Sequence, residues 1–287
     1  SNSTISLDLD SGKLNWHFQY TPGDMFDWDE TGSNLLIDTN ISGMPRKTVL
    51  HFGRNGFAYS IDRENGRFIH GGQYVDELSW SKGIDKETGK PIEYDPSLLI
   101  QKYALGAGKR GTTIDSVCPY YLGGINFFPT SYNKSNGIAY GHSVEGCMEH
   151  TTTGVDGIWP VGGGYFTGGA FSDKPGLHGS IVAWDPSTGE LKGKISRDMP
   201  AYAGVLSTPD ITWVGEIDGT FSAFDAETLD ELWTINMGSS FRAPPMTFSV
   251  DGKQYVAILG GGNGLFNFGI DKVAKIQNNN MLYVFSL

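Results

Sequence analysis

Hydrophobic residues in this chain come in short alternating runs separated by turn-forming residues. The first run, Ile5, Leu7 and Leu9, has the period of two that marks a strand with one buried face. It opens a unit that recurs at 7–16, 60–68, 183–191 and 223–233. In each copy a strand ends in Asp, a turn with Gly or a substitute follows, and a returning strand leads toward an aromatic or aliphatic position, Trp in the fullest copies. Asp accepts backbone N–H groups across such a turn, and Gly takes positive φ without steric cost. A Trp on the returning strand offers a large flat anchor for a neighbouring sheet. Strand–turn–strand repeated with almost no helical period predicts an all-β chain, a β-propeller, with a β-sandwich of similar hairpins as the alternative. Further strand-like runs lie at 35–37, 48–51, 57–59, 138–140, 211–214, 255–259 and 281–287, giving about four blades. No blade precedes the opening strand pair, so the expected object is an arc of a larger ring, one incomplete propeller domain over 1–287. The stretch 76–115 lacks the strand rhythm and reads as a long surface excursion.

Composition narrows the class. Glycine accounts for 40 of 287 residues, about twice the usual share of roughly 7%, as many tight turns require. With 21 Lys and Arg against 32 Asp and Glu, the formal charge is −11. Such a chain repels phosphates, and no basic stripe offsets this, so no nucleic-acid partner is expected. No apolar run reaches the roughly 18 residues of a membrane helix. No secretory leader precedes Ile5, so the sequence is expected to start inside an element, either processed or part of a longer polypeptide.

The segment Thr21-Pro22-Gly23-Asp24-Met25-Phe26-Asp27-Trp28-Asp29-Glu30 gathers four carboxylates within seven residues. In an extended conformation Asp27 and Asp29 point to one side. Converging carboxylates suit a hard cation such as calcium, the alternative being an acidic loop whose aspartates cap turns. In His51-Phe52-Gly53-Arg54-Asn55-Gly56-Phe57, Asn55-Gly56 is a hairpin signal that puts Arg54 on the last strand residue. Its rigid fork of donors is either a salt-bridge partner for the acidic segment or a clamp for an oxygen-rich ligand. Cys118 and Cys147 lack metal-site spacing and read as a disulfide, hence an oxidising compartment, against two unpaired buried thiols. Asn126 is a lone amide in an apolar stretch. His142, His150 and His178 have no metal-ligand spacing, and the glycine runs 162–164 and 260–262 read as loops between strands.

Taken together, these segments resemble the pyrroloquinoline-quinone (PQQ) dependent alcohol dehydrogenases, the quinoprotein methanol and ethanol dehydrogenases. The 21–29 segment resembles their active-site aspartate segment, and 51–56 their cofactor-arginine turn. Cys118-Pro119, Gly123-Gly124-Ile125-Asn126 and Cys147-Met148 resemble their disulfide block. Gly204-Val205-Leu206-Ser207-Thr208, Asp218-Gly219 and Gly252-Lys253-Gln254-Tyr255-Val256-Ala257 resemble their late blades. The resemblance implies an eight-bladed propeller of which this is roughly the C-terminal half, with the missing N-terminal half supplying a Glu and an Asn metal ligand, a vicinal cysteine pair and a stacking Trp. It implies oxidation of a small primary alcohol to an aldehyde in the periplasm. Asp27 takes the alcohol proton as hydride passes to the quinone, and electrons go to a cytochrome c. It further implies PQQ bound by Arg54, Asn126 and Tyr202, the last standing where a Trp is common, and a metal held by Asp27 and Asp29. The extra carboxylate of Asp29 resembles the lanthanide-using members rather than the calcium-using ones. A cation and Arg54 together are expected to depress the Asp27 pKa. Gly193 and His70 depart from the repeat's Trp, and Trp80, Trp159 and Phe171 are candidates to cap the substrate pocket. The competing readings are a non-catalytic propeller scaffold and an inactive fragment that needs its missing half.

Overall fold

A computed structural model describes residues 2–98, 101–104, 112–152, 169–262, 268–277 and 279–286. The strands, in chain order, are β1 (Ser3–Leu7), β2 (Leu14–Gln19), β3 (Asn34–Ile41), β4 (Met44–Phe52), β5 (Phe57–Asp62), β6 (Phe68–Gln73), β7 (Thr112–Val117), β8 (Ser131–Asn133), β9 (Ile138–Glu145) and β10 (Met148–Thr152). They continue as β11 (Gly169–Asp173), β12 (His178–Asp185), β13 (Glu190–Arg197), β14 (Val205–Ser207), β15 (Ile211–Gly215), β16 (Thr220–Asp225), β17 (Glu231–Asn236), β18 (Met246–Val250), β19 (Lys253–Gly260) and β20 (Met281–Ser286). The α-helix among the described residues is α1 (Asp271–Ala274). No described helix is long and apolar enough to cross a membrane.

The chain forms two compact units, residues 1–126 with 145–177, and 127–144 with 178–287. In the first unit β3-β4-β5-β6 is a four-stranded antiparallel meander, flanked in sequence by the pair β1-β2 and the sheet β11-β10-β7. In the second unit β13-β12-β9-β8 and β14-β15-β16-β17 are four-stranded and β18-β19-β20 is three-stranded. These sheets are propeller blades, as the repeat predicts. Their cores are the apolar faces of consecutive meanders: Trp213, Phe221, Phe241, Val256 and Ile258 form one such cluster.

The repeat is a docking device as well as a turn. In the first copy Asp8 accepts from the Ser11 backbone N–H at 2.8 Å, and its carbonyl accepts from Gly12. Trp16, on the returning strand, donates from Nε1 to the Arg63 carbonyl at 3.0 Å and lies over Gly66, where a Cβ would stand 2.8 Å from the ring. Bulky side chain and turn glycine therefore interlock between neighbouring hairpins. The same arrangement occurs inside the supposed excursion. Asp85 accepts from Thr88, Gly89 donates to the Asp85 carbonyl, and Phe68 covers Gly89. Phe68 thus fills the place expected at His70. The excursion is shorter than its composition suggests, because β7 begins at Thr112, paired with Thr152.

At Gly193 the pair is inverted. Leu229 occupies the turn-glycine position with φ +63° and points its Cδ1 to within 3.1 Å of where a Gly193 Cβ would be. Leucine in that conformation costs about 1–2 kcal/mol, and the burial of Leu229, 5% exposed, offsets it, since a buried leucine contributes roughly 2–5 kcal/mol. Leu229→Gly is expected to destabilise the chain, and Gly193→Trp alone to destabilise it by overpacking. The double variant is expected to be more stable than the sum of the two predicts, as urea unfolding would show. Strict additivity would mean that the two positions do not interlock.

His142 is 1% exposed in the second unit, and burial, with the Arg197 charge nearby, drives its pKa down to about 3. An unfolded histidine takes a proton below about 6.5, whereas the folded one stays neutral. The stability difference is therefore absent above that pH and grows against the fold as the pH drops toward 3. His142→Leu is expected to move acid unfolding, followed by circular dichroism, to lower pH. An unchanged midpoint would mean that another group sets the acid limit.

Candidate active site

Asp24 organises the acidic segment. Its Oδ1 accepts the Phe26 backbone N–H and its Oδ2 that of Trp28, each at 2.9 Å. Burial raises its pKa to about 6, the two N–H bonds opposing. These bonds wrap the chain around Asp24 and leave Asp27 at φ +64°. The extended alternation expected for Asp27 and Asp29 is therefore replaced by a kink, yet the two carboxyl groups still lie close enough to interact. Burial first, and the Asp29 hydrogen bond second, push the Asp27 pKa up to about 7, with Arg54 acting in the opposite direction. Arg54 alone thus does not keep this carboxyl in the ordinary carboxylate range. Two carboxyl groups in this state are a donor set suited to a hard cation.

Arg54 lies in the loop between β4 and β5 rather than on the last residue of the strand, because β4 ends at Phe52. The loop spans four residues: Gly53 donates to the Phe57 carbonyl and Gly56 to that of Gly53. The buried Asn55 side chain fixes it by accepting from the Phe57 N–H and donating to Thr21 and Tyr59. Arg54 is 5% exposed. Its Nε donates to the Leu122 carbonyl at 3.2 Å, one terminal nitrogen to that of Asp29 at 3.1 Å, and the other to that of Tyr121 at 2.6 Å. Of its five N–H donors, two remain outside these bonds among the described residues. Burial lowers its pKa, and Asp27, Glu30, Asp29 and Asp24 oppose that shift.

Asn126 is buried; its Nδ2 donates to the Leu122 carbonyl at 2.7 Å, and its Oδ1 accepts from Thr31 at 3.2 Å. Asp27, Asp29, Arg54 and Asn126 are therefore brought together in the first unit by the acidic segment, the β4–β5 loop and the 120–126 segment. Tyr202 belongs to the second unit, where it packs against Phe127 and Phe128 and under the Arg242 guanidinium, 4.8 Å from its ring. Cys118 and Cys147 form a disulfide. Trp80 is buried and donates to the Asn55 carbonyl at 2.8 Å, so it supports the arginine loop. Phe171 stacks on Tyr121 at 5.0 Å. Trp159 lies outside the described residues.

Three supporting residues had no assigned role in the sequence. Glu30 Oε2 accepts the Arg54 backbone N–H at 3.1 Å and pairs with His51 Nε2 at 2.8 Å, both side chains 1% exposed. Tyr74 donates to the Gly53 carbonyl at 2.7 Å and accepts the Ile125 N–H at 2.6 Å, tying the arginine loop to the Asn126 segment. Glu30 was visible only as one carboxylate among four, and Tyr74 carried no signal. Among the described residues, the one group of three or more His, Cys, Asp or Glu donors close together is Glu77 with the bonded cysteines. Among the described residues, Asp27 and Asp29 could offer a cation two carboxyl groups, with no group of three or more donors around them.

The family model for the glucose/ethanol/alcohol dehydrogenase β-propeller domain of PQQ proteins matches residues 1–75 and 177–256. The chain is similar to the quinoprotein alcohol dehydrogenase PedH of Pseudomonas putida, at 35% identity over 100% of this chain and 48% of that protein. Among solved structures it is similar to the quinohemoprotein alcohol dehydrogenase from Comamonas testosteroni, with TM-score 0.82 and 29% identity over 99% of this chain and 42% of the other. It is also similar to a europium-containing methanol dehydrogenase, with TM-score 0.80 and 25% identity over 100% of this chain and 53% of the other. The chain spans about half the length of the curated relatives it matches.

Proposed function

Because the chain belongs to the glucose/ethanol/alcohol dehydrogenase β-propeller family of PQQ proteins, we propose that it supplies one side of the active site of a metal-assisted quinoprotein that oxidises a small primary alcohol to an aldehyde. The observation that carries this reading is the convergence of Asp27, Asp29, Arg54 and Asn126. A scaffold has no use for a buried arginine aimed among carboxyl groups. PQQ would supply the two-electron acceptor, and the cation the Lewis acidity that polarises it.

The chain's own residues then have distinct tasks. Asp27 and Asp29 would hold the cation, and Asp27, once ionised, receives the proton of the alcohol hydroxyl. Arg54 would direct its remaining N–H groups to the cofactor's oxygens, where a fixed cation stabilises negative charge. Asn126 would hold the cofactor's edge by hydrogen bonding. The second carboxylate of Asp29 favours a trivalent lanthanide over calcium, a reading supported by the likeness to the europium-containing enzyme. The remaining ligands and blades come from residues outside this sequence, as the share of the relatives covered suggests. Electrons leave to a cytochrome c, in keeping with the name of the quinohemoprotein relative. The disulfide supports the periplasm as the location.

The test is cofactor and metal content: absorbance of bound PQQ and metal by mass spectrometry, after incubation of the chain, alone and with the remaining half supplied, with PQQ plus lanthanum or calcium. Stoichiometric uptake, with PQQ binding that needs Arg54, metal binding that needs Asp27 and lanthanum preferred, is the expected result. No uptake in either form would overturn the reading in favour of a scaffold. Preference for calcium would overturn the lanthanide assignment alone.

A further inference from the structure

The acidic segment grips the arginine loop at two points. Asp29 accepts the Arg54 guanidinium through its carbonyl at 3.1 Å, and the next residue, Glu30, accepts the Arg54 backbone N–H at 3.1 Å. Two consecutive residues that follow Trp28 thus hold both the head of the arginine and its main chain. Gly53 permits this approach, because a Cβ there would stand 3.1 Å from Glu30 Oε1.

Glu30 is itself fixed from behind. Its Oε2, the oxygen on Arg54, also meets His51 Nε2 at 2.8 Å, and a carboxylate only accepts, so His51 donates. The His51 ring stacks on Tyr20 at 4.5 Å, and the Tyr20 hydroxyl is hydrogen-bonded to Thr4 at 2.7 Å. The Glu30 and His51 side chains are both 1% exposed, so the shared oxygen is shielded from water. The other oxygen, Oε1, has no hydrogen-bond partner among the described residues. It shares a small space with Asn55 Oδ1 and the Phe57 carbonyl, which would lie 2.7 and 3.2 Å from the same Gly53 Cβ. An amide in place of the carboxyl group would keep the shared oxygen and turn a donor toward these two acceptors, which makes Glu30→Gln the conservative variant.

We propose that Glu30 is a positioning residue for Arg54: its His51-backed oxygen fixes the arginine loop on the acidic segment and so sets where the guanidinium meets the cofactor. The inference rests on the active-site reading, in which Arg54 binds PQQ, and adds to it the group that acts through the Arg54 main chain.

The test is a double-mutant cycle between Glu30→Leu and Arg54→Ala, read as PQQ dissociation constants from absorbance titration of the full chain with the remaining half supplied. Arg54→Ala keeps the backbone N–H and removes only the group to be positioned. Glu30→Leu is expected to weaken PQQ binding about tenfold in the wild-type background, the scale of a lost hydrogen bond to a charged group. In the Arg54→Ala background it is expected to change binding by less than about twofold. Glu30→Gln restores wild-type binding. His51→Phe keeps a ring on Tyr20 but leaves Glu30 without its backing, and is expected to lose part of the affinity. It takes the place of Glu30→Leu in the cycle should that variant not fold, and melting curves decide this. Without cofactor, hydrogen exchange at the Arg54 amide is expected to be at least about tenfold faster in Glu30→Leu, with β4 and β5 unchanged. An unchanged Arg54 amide, PQQ binding that needs Arg54 but not Glu30, equal losses in both backgrounds, or Glu30→Gln as weak as Glu30→Leu would overturn this inference alone. PQQ binding that does not need Arg54, or none in the wild type, would overturn the active-site reading and this inference with it.

Discussion

Asp27→Asn is expected to lower alcohol turnover of the assembled, cofactor-loaded enzyme by about 10²–10⁴-fold, a loss of roughly 3–5 kcal/mol in transition-state stabilisation. The substitution is isosteric, and asparagine tolerates the φ of +64° that Asp27 adopts. The Asp24 bonds that create the kink go to the backbone of Phe26 and Trp28 and are untouched. What disappears is the carboxylate itself, and with it both the proton acceptor and one ligand for a cation. Arg54 keeps its three carbonyl partners, so PQQ uptake is expected to fall far less than turnover. Dye-linked rates and absorbance of bound cofactor measured on the same preparation separate the two effects. Turnover within tenfold of the wild type would remove Asp27 from the role of base.

Gly123→Ala is expected to destabilise by at least about 3 kcal/mol. Gly123 has φ +77°, and a Cβ there would lie 2.4 Å from the Arg54 Cβ, 2.6 Å from its carbonyl oxygen and 2.7 Å from its Cα. Positive φ accounts for about 1–2 kcal/mol. The overlap adds more because two of the three atoms are backbone and cannot rotate away. Relief requires the β4–β5 loop to move off the 120–126 segment. That motion breaks the bond from the Gly124 N–H to the Arg54 carbonyl and displaces the guanidinium. Gly12 is the control, since its φ is +67° but nothing stands within 4 Å of an added Cβ. In urea unfolding Gly12→Ala is expected to show the dihedral cost alone. Equal losses at both positions would mean that the close approach of Gly123 to Arg54 carries no energy.

By itself the sequence determined what depends on residues a few positions apart. The hairpins form because an Asp side chain caps N–H groups two or three residues ahead and a glycine, or Leu229 in the last copy, closes the turn. Repetition of that turn, with alternating strands between, makes blades. The candidate residues Asp27, Asp29, Arg54 and Asn126 were legible as residue types in distinctive contexts, and the two cysteines as a pair. One local signal went unread, the turn at Asp85, because lysine and glycine around it masked the repeat.

Only the tertiary structure decided how these pieces meet. Arg54 contacts Glu30 across 24 positions and the Leu122 carbonyl across 68, and Thr31 reaches Asn126 across 95. No local periodicity encodes such pairings, since each depends on where two loops arrive after their strands have paired. The kink at Asp27 has the same kind of origin: the bonds to Asp24 override the extended preference of the intervening residues. The exchange of bulk between Gly193 and Leu229 is visible only when both sides of the contact are known. A blade can be written locally because its hydrogen bonds are local. The site is assembled from loops that different strands deliver, so its geometry follows from packing and not from spacing along the chain.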